Sequence, residues 1–145
     1  MQIDLNGNIL QTIATPSDPS SIGIGARSSD SAVILWVSGY NGSTIDGYVM
    51  TTPITHLGTL NVSSWGHPEG IVGIPGLTVA RVVTHSGYFL DIQEQGTTNN
   101  LFVNAAVSLE TGTNPHLFNI IRVGGTNYWI DDVDRARIFE YTYPL

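Results

Sequence analysis

Short apolar runs alternate with turn-forming residues along most of the chain. From Ser31 onward, runs rich in β-branched and aromatic residues are separated by clusters of Gly, Asn and Ser. In 101–109, alternate positions from Leu101 to Leu109 are apolar, which is the period of a half-buried β-strand. No window keeps helical spacing without a Gly, Pro or β-branched interruption. The pattern predicts an all-β protein with minimal helix content.

Three segments depart from this alternation. Residues 1–13 predict an N-terminal hairpin, because Asn6-Gly7 is a favoured dipeptide for a two-residue β-turn. Residues 14–21 contain two prolines and several small polar residues, which predicts a linker. The stretch Ile54 to Gly76 predicts a long irregular loop. The length of 145 residues predicts one domain, 1–145, in which a single core is buried.

Arginine and aspartate recur at similar distances on either side of predicted turns. The positions are Arg81 with Asp91, Arg122 with Asp131 and, as a weaker third copy, Trp36 with Asp46. We expect each Arg to face its Asp across a hairpin, where such an ion pair contributes a few tenths of a kcal/mol up to about 1 kcal/mol. Copies spaced in the forties suit a β-trefoil, which is one candidate fold.

The second candidate fold comes from the C-terminal half. His116-Leu117-Phe118-Asn119-Ile120, followed through glycines by Tyr128-Trp129-Ile130-Asp131, resembles a strand pair of the concanavalin A-like, laminin-G-type jelly rolls. The resemblance covers about a third of the chain and implies an antiparallel two-sheet jelly-roll sandwich. We prefer this fold, with the β-trefoil as the alternative.

Composition excludes several classes of partner. Charged residues are 12% of the chain and the formal net charge is -7, with five basic residues that are all arginine. No basic stripe exists to neutralise phosphates, so no nucleic-acid partner is expected. The absence of lysine is typical of a surface covered by neighbouring protein, and equally of a hydroxyl-rich extracellular domain. No apolar run reaches membrane-spanning length, so we expect no membrane insertion, and the first residues lack the basic and apolar regions of a signal peptide.

The sequence offers no catalytic or cofactor-binding group. Glucanases of the jelly-roll family carry Glu-x-Asp-x-x-Glu along one strand, whereas here Asp91 and Glu94 follow Phe89 at the position of the first Glu. Both carboxylates are therefore expected to be solvated or salt-bridged. The four histidines are scattered without metal-ligand spacing: His56, His67, His85 and His116. The chain has no cysteine. We predict no enzyme activity, no metal and no cofactor.

An acidic cluster lies near the C-terminus. Asp131, Asp132 and Asp134 alternate in a way that can coordinate Ca²⁺, but the closing Glu of a calcium loop is missing. Arg135 and Arg137 follow directly. We interpret the segment as a self-neutralised turn.

The candidate ligand site consists of turn and loop residues that suit a sugar. Sugar rings stack on aromatic faces, while amide and carboxylate groups bond their hydroxyls. The residues predicted to bind are Tyr40, Asn41, Asp46, Trp65 and His67. The competing interpretation is that these aromatics close the end of the sandwich or are buried at a subunit contact.

Two functions follow from these patterns. The first is a non-enzymatic structural or attachment protein of a repeating surface assembly, such as a virion decoration or fibre-tip domain, that forms homo-oligomers. Its N-terminal hairpin can add a strand to a neighbour. The alternative is a carbohydrate-binding lectin or module, with a glycan as partner. Both place the protein on a virion or cell exterior.

Overall fold

The computed structural model describes residues 2–3, 5–15, 18–27, 30–95, 100–109 and 115–144, and these residues form antiparallel β-sheets. Their strands are β1 (Gln2–Ile3), β2 (Ile9–Gln11), β3 (Pro19–Ala26), β4 (Val33–Gly39), β5 (Thr44–Val49), β6 (Thr55–Asn61), β7 (Pro68–Gly73), β8 (Val79–Thr84), β9 (Tyr88–Gln95), β10 (Asn100–Ser108), β11 (Leu117–Gly124), β12 (Asn127–Asp132) and β13 (Arg137–Thr142). The helical elements in these ranges are two single 3₁₀ turns, Ser63–Trp65 and Val133–Arg135. The all-β prediction is confirmed.

The strands form three consecutive meanders and a separate hairpin. The first sheet has the order β3-β4-β5-β6, the second β7-β8-β9-β10 and the third β11-β12-β13, while β1 pairs with β2. A jelly roll needs long connections that place non-consecutive strands side by side. In the described sheets every hydrogen-bonded neighbour is also the next strand in the chain. The jelly-roll connectivity is therefore not confirmed, and the trefoil alternative finds no support in this strand order.

Two hydrophobic cores hold the three sheets together. Between the first and second sheets, Trp36 and Ile45 pack with Ile71 and Leu90. Between the second and third sheets, a separate cluster contains the buried residues Val83, Phe89, Leu117, Tyr128 and Ile130. The second sheet is thus buried on both faces, which explains why all six residues of β8 are buried.

Glycines allow the first strands of neighbouring sheets to touch through their backbones. A Cβ atom at Gly73 of β7 would lie 2.0 Å from the carbonyl oxygen of Ile24 in β3. A Cβ atom at Gly70 would lie 2.8 Å from the Cα of Asn119 in β11. No side chain fits in these spaces, so β3, β7 and β11 approach more closely than ordinary stacked strands do.

The same backbone hydrogen bond closes one end of each sheet. In each sheet, the carbonyl oxygen of the residue just before the first strand (β3, β7 or β11) accepts this hydrogen bond. The donor is the backbone N–H of a residue that follows the second strand of the same sheet. The bonds run from Tyr40 to Asp18, from His85 to His67 and from Val133 to His116, with N···O distances of 2.9, 2.8 and 3.0 Å. The acceptors are equally spaced along the chain. The three sheets are therefore structural repeats, and residues at matching distances from these anchors are equivalent.

The strand register confirms one of the predicted Arg–Asp pairs. Arg81 lies opposite Asp91 and forms an ion pair with it. The other two expectations are wrong. Arg122 lies opposite Tyr128, and Asp131 lies opposite Asn119, because the hairpin is centred on Gly125, which is nearer to Arg122 than to Asp131. Trp36 lies opposite Gly47, one residue away from Asp46.

Two predicted irregular segments are largely strand. The expected loop Ile54–Gly76 contains β6, the 3₁₀ turn at Ser63–Trp65 and β7. Its Gly and Pro content suggests a loop, but Gly70 and Gly73 serve close packing between sheets. The expected linker 14–21 also ends early, since β3 begins at Pro19 and proline is tolerated at the first residue of a strand. Residues 16 and 17 lie outside the described part of the chain.

Candidate functional site

The structure brings three of the five predicted ligand residues to one end of the first sheet. The rings of Tyr40 and His67 stack with centroids 4.6 Å apart, and Nδ1 of His67 lies 2.8 Å from the carbonyl oxygen of Tyr40. The neighbouring Asn41 donates its amide N–H to the carboxylate of Asp18 at 2.5 Å. These groups satisfy one another, and one face of the Tyr40 ring is occupied by an imidazole.

The other two predicted residues lie elsewhere. Trp65 packs against the core between the first and second sheets and is partly buried. Its carbonyl oxygen accepts a hydrogen bond from the Thr84 hydroxyl at 2.7 Å. Asp46 points to the outer face of the first sheet, away from the second. The five residues therefore form no common platform in the described structure.

Asp46 is nevertheless part of a polar cluster that lines a cavity. The cavity has a volume of about 620 Å³ and lies between the outer face of the first sheet and residues 13–15. Buried Asp46 accepts a hydrogen bond from the Thr59 hydroxyl at 2.6 Å and lies 2.8 Å from Nε2 of His56. The Tyr48 hydroxyl donates to the carbonyl oxygen of Ala14 at 2.8 Å, and burial, with a smaller effect of Asp46, raises the pKa of Tyr48. Residues 13–15 therefore cover part of the outer face of the first sheet.

The carboxylates tested against the glucanase pattern are both held in ion pairs. Asp91 contacts Arg81 and also accepts a hydrogen bond from Asn104 at 2.9 Å. Glu94, whose side chain is buried, lies 3.4 Å from the Arg27 guanidinium. The expectation of salt-bridged carboxylates is confirmed for this pair. In the acidic cluster, buried Asp132 is bonded by Arg135 and Arg137 at 3.2 and 3.0 Å, which confirms a self-neutralised turn.

A second group of polar side chains meets at the same end of the second sheet. Glu69 at the start of β7, His85 in the β8–β9 turn and His116 just before β11 offer ligand atoms that lie within 4.8 Å of one another. Sequence reasoning missed this group because its members are far apart in the chain and show no metal-ligand spacing. One signal was available in the sequence: Asp18, His67 and His116 are equally spaced along the chain. This spacing places both histidines at the start of a repeat.

The two ends of the sheet stack expose large apolar side chains. On the outer face of the first sheet, Ile22 and Ile24 are 65% and 61% exposed. On the outer face of the third sheet, Trp129 lies opposite Ile121, and both are about half exposed. Ile138 of the adjacent strand is 69% exposed and lines a small cleft with them. Contiguous apolar surface of this kind marks interaction sites.

Comparison with known proteins adds little to this geometry. No family model and no curated protein matches the sequence. Among solved structures, the chain is similar to Saccharomyces cerevisiae Sqt1, with 10% identity and a TM-score of 0.47, over 87% of this chain and 37% of that one. It is also similar to U3-55K, with 11% identity and a TM-score of 0.47, over 82% of this chain and 36% of that one. The chain spans a little over a third of each of these proteins.

No helix in the described residues is long and apolar enough to span a membrane.

Proposed function

We propose that this chain is a non-enzymatic structural protein whose copies join head to tail through the outer faces of the first and third sheets. The observation that carries the proposal is that these faces are the two unpaired halves of an interface that occurs twice inside the chain. The occupant of each face is a second copy of the same chain.

The first half of the interface is the face around Ile22. Ile22, Ile71 and Ile120 lie at the same distance after the anchors Asp18, His67 and His116, so they are equivalent. Ile71 and Ile120 are 4% and 3% exposed because a preceding sheet covers them, whereas Ile22 is 65% exposed. By comparison with Ile71 and Ile120, we expect Ile22 to be covered by a sheet that packs against the outer face of the first sheet.

The second half is the face around Trp129. Trp36, Arg81 and Trp129 lie at the same distance before the turn residues Tyr40, His85 and Val133, which makes them equivalent. Trp36 and Arg81 are 0% and 2% exposed under the following sheet, whereas Trp129 is 47% exposed. The first sheet of a second copy would cover Trp129 in the way that the second sheet covers Trp36 and the third sheet covers Arg81.

The N-terminal hairpin supplies the remaining strand. The third sheet has three strands in the described part of the chain, and its edge strand β13 is open. β2 ends shortly before Asp18, just as β6 and β10, the last strands of the first two sheets, end shortly before His67 and His116. β2 therefore has the sequence position of a fourth strand, and in the assembly it pairs with β13 of the neighbouring copy by strand addition.

Head-to-tail contacts of this kind either close into a ring or extend without limit. Four-stranded meanders arranged around a channel are the architecture of β-propellers, which contain roughly 4 to 8 sheets. Two copies contribute six sheets, which favours a closed dimer with the first strand of each sheet, β3, β7 and β11, nearest the axis. The virion or cell-surface setting, and a glycan as ligand, stay predictions from the sequence.

The first experiment is size-exclusion chromatography with light scattering across a range of concentrations. We expect twice the 15.6 kDa chain mass. Trp129→Ser should weaken the dimer about 30-fold, as truncation of a buried interface aromatic does. The matched control is Phe102→Ser, since Phe102 is an exposed aromatic on the edge strand of the middle sheet and should leave the dimer unchanged. A strict monomer at all concentrations would refute the proposal.

Cross-linking through introduced cysteines tests whether the copies join head to tail. The chain has no cysteine of its own, so each introduced thiol is the only one that can react. Ile24→Cys and Ile121→Cys each place one thiol on opposite outer faces. A short bismaleimide should link the two variants when they are mixed, and neither variant to itself. Self-linking of Ile121→Cys would instead indicate a two-fold contact between third sheets, and would overturn the head-to-tail arrangement.

A further inference from the structure

We propose that Glu69, His85 and His116 form a binding site for one divalent transition-metal ion of the Zn²⁺ class. The three side chains come from β7, from the β8–β9 turn and from the segment just before β11. They therefore join the second sheet to the third at the end where the repeat anchors lie. This site is independent of the outer faces that carry the proposed assembly.

The distances between the donor atoms fit metal coordination better than hydrogen bonding. Nε2 of His116 lies 3.4 Å and Nδ1 of His85 lies 3.5 Å from the same oxygen, Oε1 of Glu69. Ligands about 2.0 to 2.1 Å from a tetrahedral Zn²⁺ are about 3.4 Å from each other. Hydrogen-bonded N and O atoms lie closer, at about 2.7 to 3.2 Å. Each nitrogen is thus spaced from the carboxylate oxygen as one corner of a tetrahedron is from the next, and all three atoms lie within 4.8 Å of one another.

The donor atoms are buried and have no other use in the described structure. Nδ1 of His85 and Nε2 of His116 are inaccessible to solvent and have no hydrogen-bond partner among the described residues. The Glu69 side chain is 8% exposed. A buried carboxylate beside two unpartnered imidazole nitrogens is unfavourable unless a cation balances the charge and accepts the lone pairs. A divalent ion satisfies all three groups together.

The equivalent position in the first sheet provides an internal comparison. His67 is the counterpart of His116, Tyr40 is the counterpart of His85, and Ser20 is the counterpart of Glu69. There Nδ1 of His67 is satisfied by the Tyr40 carbonyl at 2.8 Å and lies 3.1 Å from the Ser43 hydroxyl. Where the acid and the second histidine are absent, the imidazole is used by protein groups. Where both are present, its nitrogen points at the carboxylate.

An outer carboxylate lies close to one of the imidazoles. Oδ1 of Asp134 lies 3.6 Å from Nδ1 of His116, the ring nitrogen that faces away from Glu69. This separation is longer than a hydrogen bond, so the carboxylate contributes a negative charge close to the imidazole. His85 and Asp134 also line an open cavity of about 450 Å³ with Ser86 and Pro115. A fourth coordination position facing this cavity is open to water or to a small anionic ligand.

The test is titration of the untagged, chelator-treated full chain with ZnCl₂ by calorimetry, with Co²⁺ absorption as a second readout of tetrahedral coordination. We expect one ion per chain and an increase in Tm on addition of metal. Glu69→Gln and His116→Gln should each weaken binding at least 100-fold, since loss even of an outer partner costs about 10- to 100-fold. The matched control His67→Gln should leave the affinity unchanged.

Three outcomes would overturn the proposal: no saturable Zn²⁺ binding, binding that Glu69→Gln leaves intact, or equal loss in His67→Gln. Circular dichroism and thermal unfolding without metal establish that each variant is folded. If His116→Gln does not fold, Glu69→Gln retains the shape of the side chain and decides the question alone.

Discussion

The ion pair between Arg81 and Asp91 is predicted to be far more important to stability than a cross-strand pair on a surface. The two side chains are 2% and 3% exposed, and they lie between the second and third sheets. The Arg81 guanidinium also lies over the ring of Tyr143, 4.9 Å from its centroid. The perturbation is Asp91→Asn, which keeps the shape of the side chain and removes its charge.

The burial of the ion pair determines how much unfolding free energy Asp91→Asn is expected to remove. A solvent-exposed ion pair contributes about 0.2 to 1 kcal/mol. Removing one partner of a buried pair costs about 3 to 5 kcal/mol, because the remaining charge is left without compensation in a medium of low dielectric constant. For Asp91→Asn the remaining charge is the Arg81 guanidinium, whose Nε has no hydrogen-bond partner in the described structure. We therefore expect Asp91→Asn to lower the free energy of unfolding by about 3 to 5 kcal/mol.

The assay is equilibrium unfolding in urea, followed by tryptophan fluorescence and by circular dichroism at one fixed protein concentration. The loss of stability is the change in midpoint multiplied by the common m-value. The matched control is Asp30→Asn. Asp30 pairs with Arg27 at 3.7 Å and is 52% exposed, so its loss should cost about 1 kcal/mol or less.

The double variant Arg81→Met with Asp91→Leu separates charge from packing. It removes both buried charges and keeps apolar volume, so it should recover much of the stability lost in Asp91→Asn. The reasoning is refuted if Asp91→Asn costs no more than Asp30→Asn. It is also refuted if the double variant is as unstable as the single one, since the cost would then come from lost contacts and not from an unpaired charge.

Two further predictions test the sheet contacts and the partly buried phenol of Tyr143. Gly73→Ala should destabilise by about 3 kcal/mol or prevent folding, because the new methyl group would overlap the backbone of Ile24; Gly47→Ala, which meets side chains at 3.4 Å or more, is the control in thermal unfolding. Burial, with the Asp91 charge as the next cause, raises the pKa of Tyr143 above 10.0, so the folded chain keeps this proton to higher pH than the unfolded chain. The resulting stability is fully present below pH 10 and is lost as the pH rises through the raised pKa. Tyr143→Phe should flatten this decline in urea midpoints, and parallel decline of both proteins would contradict it.

The sequence by itself determined the local structure where alternation is strict. The alternate apolar positions from Leu101 to Val107 fall in β10, where exposed and partly buried residues alternate, and Leu109 follows directly after the strand. The Asn6-Gly7 dipeptide lies between β1 and β2 as predicted, but only Gly7 of the two has a positive φ, 85°, and Ile3 pairs with Ile9, so the turn is longer than the two residues expected. Such signals come from neighbouring residues, and the period of a strand or the backbone of a turn is decided by them.

The arrangement of the sheets was decided by contacts that the sequence does not display locally. β3 and β7 have the composition of loops, because Gly23, Gly70 and Gly73 replace the side chains that would keep neighbouring backbones apart. Apolar periodicity measures burial and carries no signal for such close approach.

The sites were decided in the same way. Tyr40 and His67 were identified from the sequence and do meet, but Trp65 is turned toward the core and Asp46 toward an outer face. Glu69, His85 and His116 come together because the turn between two strands of one sheet lies beside the entry to the next. The sequence shows which residue types are present. The distances that allow them to bind a ligand or a metal are set only when the three repeats pack together.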